Sequence, residues 1–384
     1  MFRKAHADLF AVDGSNIVKI RPSHDAMRSL FALPLAIVTS VCAASVAEAK
    51  WPGPKTVELA PGVIQFISPD LAGNVDGNSI AIVTDRDIVL FDATLLPASA
   101  DAVLNELRQR TPKPVRYLVN SHWHPDHAGG NDEIAKAFPD LEIIASQVTR
   151  EIMEDTGSVY LKTLEFETAQ ANQEIDNELK SGRASDGRRL TSTDREEMHS
   201  ELALGGRFLA EFKATHSKLP TLTFGDTLTL FHGGREFRFF RLPGHTAGDV
   251  AVFLPGEKVL LTGDLLAYPV PFCADSHPSA WIASLEALSR LDAKIIVPGH
   301  GQAQADSSFL QLVLDSFRLI HQQVRDALHR GLTLQETQKT INLAAIRTRF
   351  THDDPNLTAV FDGNFTPIVR QFYDEATEGL EQYQ

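Results

Sequence analysis

The chain has 384 residues, of which 43% are apolar and 22% are charged, and its formal net charge is −14. This composition is ordinary for a globular protein of one large domain or two medium ones. Nucleic-acid binding requires clustered lysine and arginine to neutralise phosphates, so the acidic charge argues against a nucleic-acid partner.

Residues 1–49 have the features of a targeting segment. A basic residue follows Met27, the stretch 30–41 is largely apolar, and residues 47–49 match the A-x-A cleavage pattern of secretory signals. We therefore expect a natural start at Met27, cleavage near Ala49 and a periplasmic or secreted protein. A membrane anchor is the alternative, but the apolar stretch is shorter than the roughly 20 residues of a spanning helix. No stable membrane span is expected in the mature protein.

The body of the chain begins with a predicted β-hairpin and a helix. Residues 81–92 consist of an apolar strand, a polar turn and a second apolar strand. A helix is predicted over about 98–110, and the apolar run 115–119 predicts another strand. That strand leads directly into the most informative motif of the sequence.

The motif is His122-Trp-His-Pro-Asp-His127, an H-x-H-x-D-H run. Histidines at i and i+2 of an extended chain point the same way, so both rings can reach one metal ion. Asp126 and His127 follow after a proline. Four ligand-type side chains within six residues would be costly to desolvate without a cation. The motif therefore predicts a metal site, with a surface cluster of histidines as the alternative.

Residues 159–217 follow and predict two helices joined by a polar loop. A narrow apolar stripe runs from Leu164 to Leu179 and stops near Gly182. The segment from Thr193 to Glu196 then has the pattern of a capping box for the second helix. Such a helical hairpin is either a lid beside the metal site or a structural support or dimer contact.

Three further ligand-type residues each come after a strand-like stretch and a glycine: His245, Asp264 and His300. Loops at one edge of a rigid sheet are typical places for functional residues. Tyr268 lies four residues past Asp264. Its phenol is either a donor to a reaction intermediate or a packing group.

The second half of the chain repeats the order of the first, with a hairpin, a helix and a strand between residues 251 and 297. This repetition predicts two sheets packed face to face with helices outside. Asp92 ends the first hairpin as Asp264 ends the second. Asp92 is either a residue that orients a metal-binding histidine or a simple turn residue.

The H-x-H-x-D-H run, followed by histidine, aspartate and histidine in this order, resembles the metallo-β-lactamase superfamily over about residues 56–305. The resemblance implies an α/β fold, the αββα sandwich, in residues 50–305, with the helical hairpin inserted at 159–217 and a helical C-terminal extension over 306–384. It also implies two metal ions. The first would be bound by His122, His124 and His245, the second by Asp126, His127 and His300, and Asp264 would bridge the two.

The aspartate at position 264 resembles the residue that glyoxalase II-like thioesterases and lactonases of the superfamily have at this position. Zinc β-lactamases have a cysteine or a non-ligand there. The resemblance thus implies an exported hydrolase with two Zn²⁺ ions, in which a bridging hydroxide cleaves a lactone, thioester or ester of a small-molecule acyl substrate. Iron or manganese are possible replacements for zinc. Asp126 would pass a proton to the leaving group, and Tyr268 is the candidate donor to the intermediate.

Three alternatives stay open at this point. One is β-lactam hydrolysis by the same site. Another is a mononuclear iron enzyme resembling persulfide dioxygenases, with His122, His245 and Asp264 as its ligands. The third is a metal-bearing binding protein without turnover. The exact substrate and the oligomeric state are not determined by the residues.

Overall fold

The computed structural model describes residues 51–71, 74–274 and 276–378. The predicted signal segment 1–49 lies outside these residues, so export stays a prediction. The end of the C-terminal extension, residues 379–384, also lies outside them. Within the described ranges, none of the helices has both the length and the apolar character that crossing a membrane requires.

The first half of the chain forms a seven-stranded mixed sheet with the order β1-β2-β5-β6-β7-β8-β9. Strands β1, β2, β5 and β6 pair antiparallel with one another, and β7, β8 and β9 continue the sheet in parallel from β6. A separate short hairpin is formed by β3 and β4. The strands are β1 (Lys55–Ala60), β2 (Val63–Ile67), β3 (Asp70–Leu71), β4 (Asn74–Val75), β5 (Ser79–Val83), β6 (Ile88–Phe91), β7 (Val115–Val119), β8 (Glu142–Ser146) and β9 (Leu222–Phe224).

The second half forms a five-stranded sheet with the order β10-β11-β12-β13-β14. Its strands are antiparallel up to β13, and β14 pairs in parallel with β13. The strands are β10 (Thr227–His232), β11 (Arg235–Arg241), β12 (Val250–Leu254), β13 (Val259–Ala267) and β14 (Ile295–His300).

Both halves repeat one unit, as the sequence predicted. In the first, the hairpin β5–β6 is followed by helix α1 (Pro97–Arg110) and by β7, parallel to β6. In the second, the hairpin β12–β13 is followed by helix α6 (Pro278–Ser289) and by β14, parallel to β13. Parallel neighbours require such a crossover, and each helix therefore covers the outer face of its own sheet.

The alternation of side chains along the strands builds the layers. Val89 and Phe91 of β6 point inward and share a core with Phe237 and Phe239 of the second sheet. Their neighbours along β6 point to the opposite face, where the buried side of α1 covers them. A third core lies between the outer face of the second sheet and the C-terminal helices. The predicted αββα sandwich is confirmed.

The remaining helices surround this sandwich. Two of them, α4 and α5, form the helical hairpin between the halves, and the last five with one π-helical turn form the C-terminal extension. They are α2 (Pro125–Ala128), α3 (Asn131–Ala137), α4 (Gln147–Ser181), α5 (Ser192–Ala214), α7 (Ser308–His329), α8 (Leu334–Thr340), α9 (Ala344–Thr351), α10 (Pro355–Val360), the π-helical turn Phe361–Phe365, and α11 (Ile368–Glu378). Because the extension shares its core with the second sheet, its separation as a domain at residue 305 stays a prediction.

The helical hairpin differs in two details from the sequence prediction. Helix α4 ends as predicted, with Gly182 in the left-handed conformation, but it begins at Gln147 and not near residue 159. The cause is local, since the Ser146 side chain at the end of β8 accepts a hydrogen bond from the N–H of Thr149 and caps the helix. The predicted capping box at Thr193 is also wrong.

The capping box of α5 lies two residues earlier than predicted. The Thr191 side chain accepts from the N–H of Asp194, and the Asp194 carboxylate accepts from the N–H of Thr191. Aspartate can complete such a box although it is shorter than glutamate, because Arg188 also binds its carboxylate at 3.1 Å and holds it in place.

Candidate metal centre

The seven predicted ligands meet in two neighbouring groups at one edge of the sandwich. In each group the candidate ligand atoms lie within 4.8 Å of one another. The first group consists of His122, His124 and His245, and the second consists of Asp126, His127, Asp264 and His300. These are the groups that the sequence resemblance implies.

Three imidazole nitrogens converge in the first group. Nε2 of His122 lies 3.0 Å from Nδ1 of His124, which lies 2.9 Å from Nε2 of His245. The chain bends at His122 and does not continue as a strand, so the two motif histidines use different ring nitrogens to reach the same point. Three neutral imidazoles at such spacing form a typical arrangement for binding a divalent metal ion.

The second group combines imidazoles with carboxylates. Nε2 of His127 and Nε2 of His300 lie 3.2 Å apart. Oδ2 of Asp126 lies 3.2 Å from the first of these nitrogens and 3.1 Å from the second. Asp126 stands on the first turn of α2, and His300 is the last residue of β14.

Asp264 lies between the two groups. Its Oδ1 is 3.3 Å from Nε2 of His127, whereas its Oδ2 is 3.3 Å from Nε2 of His300 and 3.7 Å from Nε2 of His245. The residue lies within β13, where pairing to β14 is irregular, and not in a turn after the strand as the sequence suggested. Oδ1 is buried and accepts no hydrogen bond from the described residues, which suits a cation ligand.

Neighbouring groups orient two of the ligand rings. Nδ1 of His127 donates to Oδ2 of the buried Asp92 at 2.9 Å, and Oδ1 of Asp92 accepts from the N–H of Ser121 at 2.7 Å. Nδ1 of His245 donates to the carbonyl oxygen of Phe272 at 3.1 Å. In both rings Nε2 is thereby left free for a metal. This hydrogen bond favours the interpretation of Asp92 as an orienting residue.

Gln65 of β2 and Asn78, which directly precedes β5, support the backbone on either side of His300. The amide of Asn78 donates to the carbonyl oxygens of Pro298 and Gly301 at 3.0 and 2.8 Å, and the amide of Gln65 donates to Gly301 at 2.9 Å. Sequence reasoning missed both residues. They are more than 200 positions from the loop they hold, so no local pattern could have identified them.

Tyr268 belongs to neither group of ligands, although its backbone N–H donates to the carbonyl oxygen of His300 at 3.1 Å. Its ring packs edge-on against Phe309 of α7, with the ring centres 5.1 Å apart. This contact favours the packing interpretation, and assistance by the phenol stays a prediction. His277 is half-buried at the start of α6 and belongs to neither group. Cys273 is fully buried in the core, where burial raises the pKa of its thiol.

The two groups have opposite electrostatics. Burial lowers the pKa of His122 well below its usual range and lowers that of His124 to about 3, and the neighbouring imidazoles add to both shifts. Burial also lowers the pKa of His245. These three rings are therefore neutral at pH 7 and ready to bind a cation.

The carboxylates reverse the shift in the second group. Burial disfavours protonation of His300, but the charges of Asp264 and Asp126 outweigh it and raise the pKa of that ring to about 10. The pKa of His127 is raised well above its usual range in the same way. In return, the two protonated rings hold the pKa values of both carboxyls well below their usual range, against the effect of burial.

We expect these opposite shifts to appear as proton release on metal binding. At pH 7 the first group binds a metal without losing protons, whereas the second must release a proton from each of His127 and His300. Its apparent zinc affinity should therefore rise by about 100-fold per pH unit until the pH approaches the pKa of His300. Titration calorimetry in buffers of different ionisation enthalpy measures this release. Equal release from both groups would contradict the expectation.

The residues of the two groups fit the binding of divalent metal. Five imidazoles and two carboxylates are the ligand types that zinc prefers, and a carboxylate lies between the two groups. The rings of His127 and His245 also have the hydrogen-bonded partners typical of metal ligands.

Comparison with known proteins identifies relatives of this chain whose names are those of hydrolases. The chain is 25% identical to a linear primary-alkylsulfatase of Pseudomonas sp. (strain ATCC 19151) over 295 residues, which are 73% of this chain and 50% of that protein. It is 26% identical to a hydroxyacylglutathione hydrolase of Crocosphaera subtropica (strain ATCC 51142 / BH68) over 184 residues, 48% of this chain and 44% of that protein. The chain thus spans about half the length of these relatives.

Among solved structures, a stereoselective inverting sec-alkylsulfatase from Pseudomonas sp. shares the fold. The TM-score is 0.55 at 18% sequence identity, and the match covers 86% of this chain and 52% of that one. A family model described as the metallo-beta-lactamase superfamily matches residues 72–300, which include all seven candidate ligands. The chain therefore belongs to the metallo-beta-lactamase superfamily.

Proposed function

We propose that this chain is a dinuclear metallohydrolase that cleaves an activated acyl bond in a lactone, thioester or ester. The position of Asp264 carries the proposal. Its Oδ2 lies 3.7 Å from Nε2 of His245 in the first group and 3.3 Å from Nε2 of His300 in the second, and its Oδ1 lies 3.3 Å from Nε2 of His127. A carboxylate so placed can hold two cations close together, and zinc is the metal best suited to the ligands, with iron or manganese as alternatives.

Bound divalent cations would supply Lewis acidity and lower the pKa of a water molecule to about 7. The chain's own residues orient the site and move protons. The Asp126 side chain is 24% exposed, compared with 6% for Asp264, so Asp126 is the carboxylate that faces incoming substrate. Its low pKa keeps it ionised, and it is placed to accept a proton and pass it to the leaving group.

Sulfate-ester hydrolysis is the second candidate. It is favoured by one observation, the match to a linear primary-alkylsulfatase across 73% of this chain. Because the chain spans only 50% of that relative, the substrate of the relative does not transfer directly. β-Lactam hydrolysis is less favoured, because an aspartate stands at position 264.

A substrate panel distinguishes these functions. We expect the zinc-loaded protein to show a higher kcat/KM for a simple lactone or an acyl thioester than for a penicillin or a linear alkyl sulfate under the same conditions. A higher kcat/KM for the alkyl sulfate would establish sulfate-ester hydrolysis, the second candidate. A faster penicillin would show that Asp264 does not select against β-lactams.

Elemental analysis of the purified protein is the companion measurement. About two metal ions per chain are expected from the two ligand groups. One iron per chain together with oxygen consumption would replace the hydrolase proposal by a mononuclear dioxygenase that uses His122, His245 and Asp264. Two bound metals with no turnover of any substrate class would leave a binding protein.

A further inference from the structure

Helix α4 of the inserted hairpin contacts both loops that carry the three-histidine group. The buried positions of this helix are Thr149, Met153, Tyr160 and Leu164. They recur at intervals of four and seven residues and so lie on one face. That face packs against the rest of the molecule, and two of its residues, Thr149 and Tyr160, contact segments that carry candidate ligands.

The first contact is at the start of the helix. The hydroxyls of Ser146 and Thr149 both donate to the carbonyl oxygen of Gly248, at 2.6 and 2.8 Å. Gly248 belongs to the short loop that begins at His245, and both hydroxyl residues are fully buried. The capped end of α4 therefore holds the loop of one ligand histidine by two hydrogen bonds.

The second contact is about three turns further along. The ring of Tyr160 stacks on the ring of His124, with centres 6.0 Å apart and planes inclined by 24°. The Tyr160 ring also packs edge-on against the Trp123 ring, with the ring centres 5.4 Å apart, and Tyr160 is only 6% exposed. Stacking on this face limits rotation of the His124 ring.

The hairpin is fixed against the sandwich. Phe208 and Phe212 of α5 share a buried cluster with Tyr160 and with Leu96, which precedes α1. The Glu211 carboxylate also accepts a hydrogen bond from the N–H of Ala98, at 3.0 Å, in the first turn of α1. These contacts are those of a support, and they would have to break if the hairpin opened as a lid.

We propose that helix α4 positions His124 and His245 and thereby sets the metal affinity of the three-histidine group. Tyr160 and Thr149 are its positioning residues. The inference rests on the proposed metal site. Two residues of the second group have supports elsewhere. Asp92, which follows β6, accepts a hydrogen bond from His127, and Asn78, which precedes β5, donates to the carbonyl oxygens of Pro298 and Gly301 beside His300. The two metals are thus predicted to depend on different parts of the fold.

The test compares Tyr160→Ala with Tyr160→Phe and Thr149→Val. Phe166→Ala is the matched control, because Phe166 is an aromatic residue on the same helix and is 61% exposed. Zinc affinity is measured by competition with a chelator in two parent proteins. His300→Ala disrupts the second group and keeps the three histidines, whereas His122→Ala disrupts the first.

In the His300→Ala parent, Tyr160→Ala and Thr149→Val are expected to weaken zinc binding by about 10- to 100-fold. Tyr160→Phe, which keeps the stacked ring, should restore the affinity, and Phe166→Ala should not change it. In the His122→Ala parent, all of these changes should have little effect. The visible spectrum of bound Co²⁺ should change in the first parent alone.

Unchanged affinity in the His300→Ala parent would overturn the positioning role, and so would equal losses in both parents, which would indicate general destabilisation. If Tyr160→Ala does not fold, as judged by circular dichroism, Thr149→Val decides the question. An unmutated chain that takes up no metal would instead reject the proposed metal site, so the two failures are distinguishable.

Discussion

Replacing Asp264 with alanine is expected to lower kcat by more than about 100-fold and to weaken the binding of both metals, since even outer partners of metal ligands contribute about 10- to 100-fold. The physical reason is that one carboxylate faces ligands of both groups, at 3.3 Å from His127 and 3.7 Å from His245. Its removal also leaves the two protonated rings of the second group with fewer counter-charges, from Asp126 and, for His127, from Asp92.

The measurement combines zinc content after dialysis with kcat on the best substrate of the panel. Asp292→Ala is the control, because that side chain is 66% exposed and pairs with Lys258 and Lys294 away from the site. A variant at position 264 that retained two metals and near-normal kcat would show that the carboxylate does not bridge the two groups.

Replacing Gly299 with alanine is expected to displace the Asp264 carboxylate from its position. A Cβ at this position would lie 2.0 Å from Oδ1 of Asp264 and 2.8 Å from the backbone carbon of Gly263. Either Asp264 must turn away from the ligands or β14 must move away from β13. Overpacking of this kind typically costs about 1–3 kcal/mol of folding stability. The displacement of the carboxylate should also lower the zinc content.

Thermal unfolding and zinc content together measure this effect. Gly256→Ala is the matched control, since a Cβ there would meet nothing within 4 Å. We expect the control to behave as the unmutated chain in both measurements. Normal zinc content and stability in Gly299→Ala would mean that the close approach between β14 and Asp264 has no role in forming the site.

The sequence alone determined the parts of this protein that depend on local pattern. The H-x-H-x-D-H run, the later His245, Asp264 and His300 and the repeated strand pattern, together with the family resemblance they carry, were sufficient to predict the sandwich and to select the seven residues that the structure brings together. Periodicity also located the end of α4 at Gly182. These features are readable because side-chain alternation and turn residues act over a few neighbouring positions.

The tertiary structure decided what depends on distant contacts. Hydrogen bonds of Asn78 support a loop more than 200 residues away, Tyr160 of the inserted helix stacks on His124, and Tyr268 packs on α7. Tyr160 had one local signal, because it lies four residues before Leu164 and so extends the predicted stripe. The contact of Tyr160 with His124 had no local signal. The path of the chain between two elements determines which side chains meet, and periodicity within one element does not depend on that path.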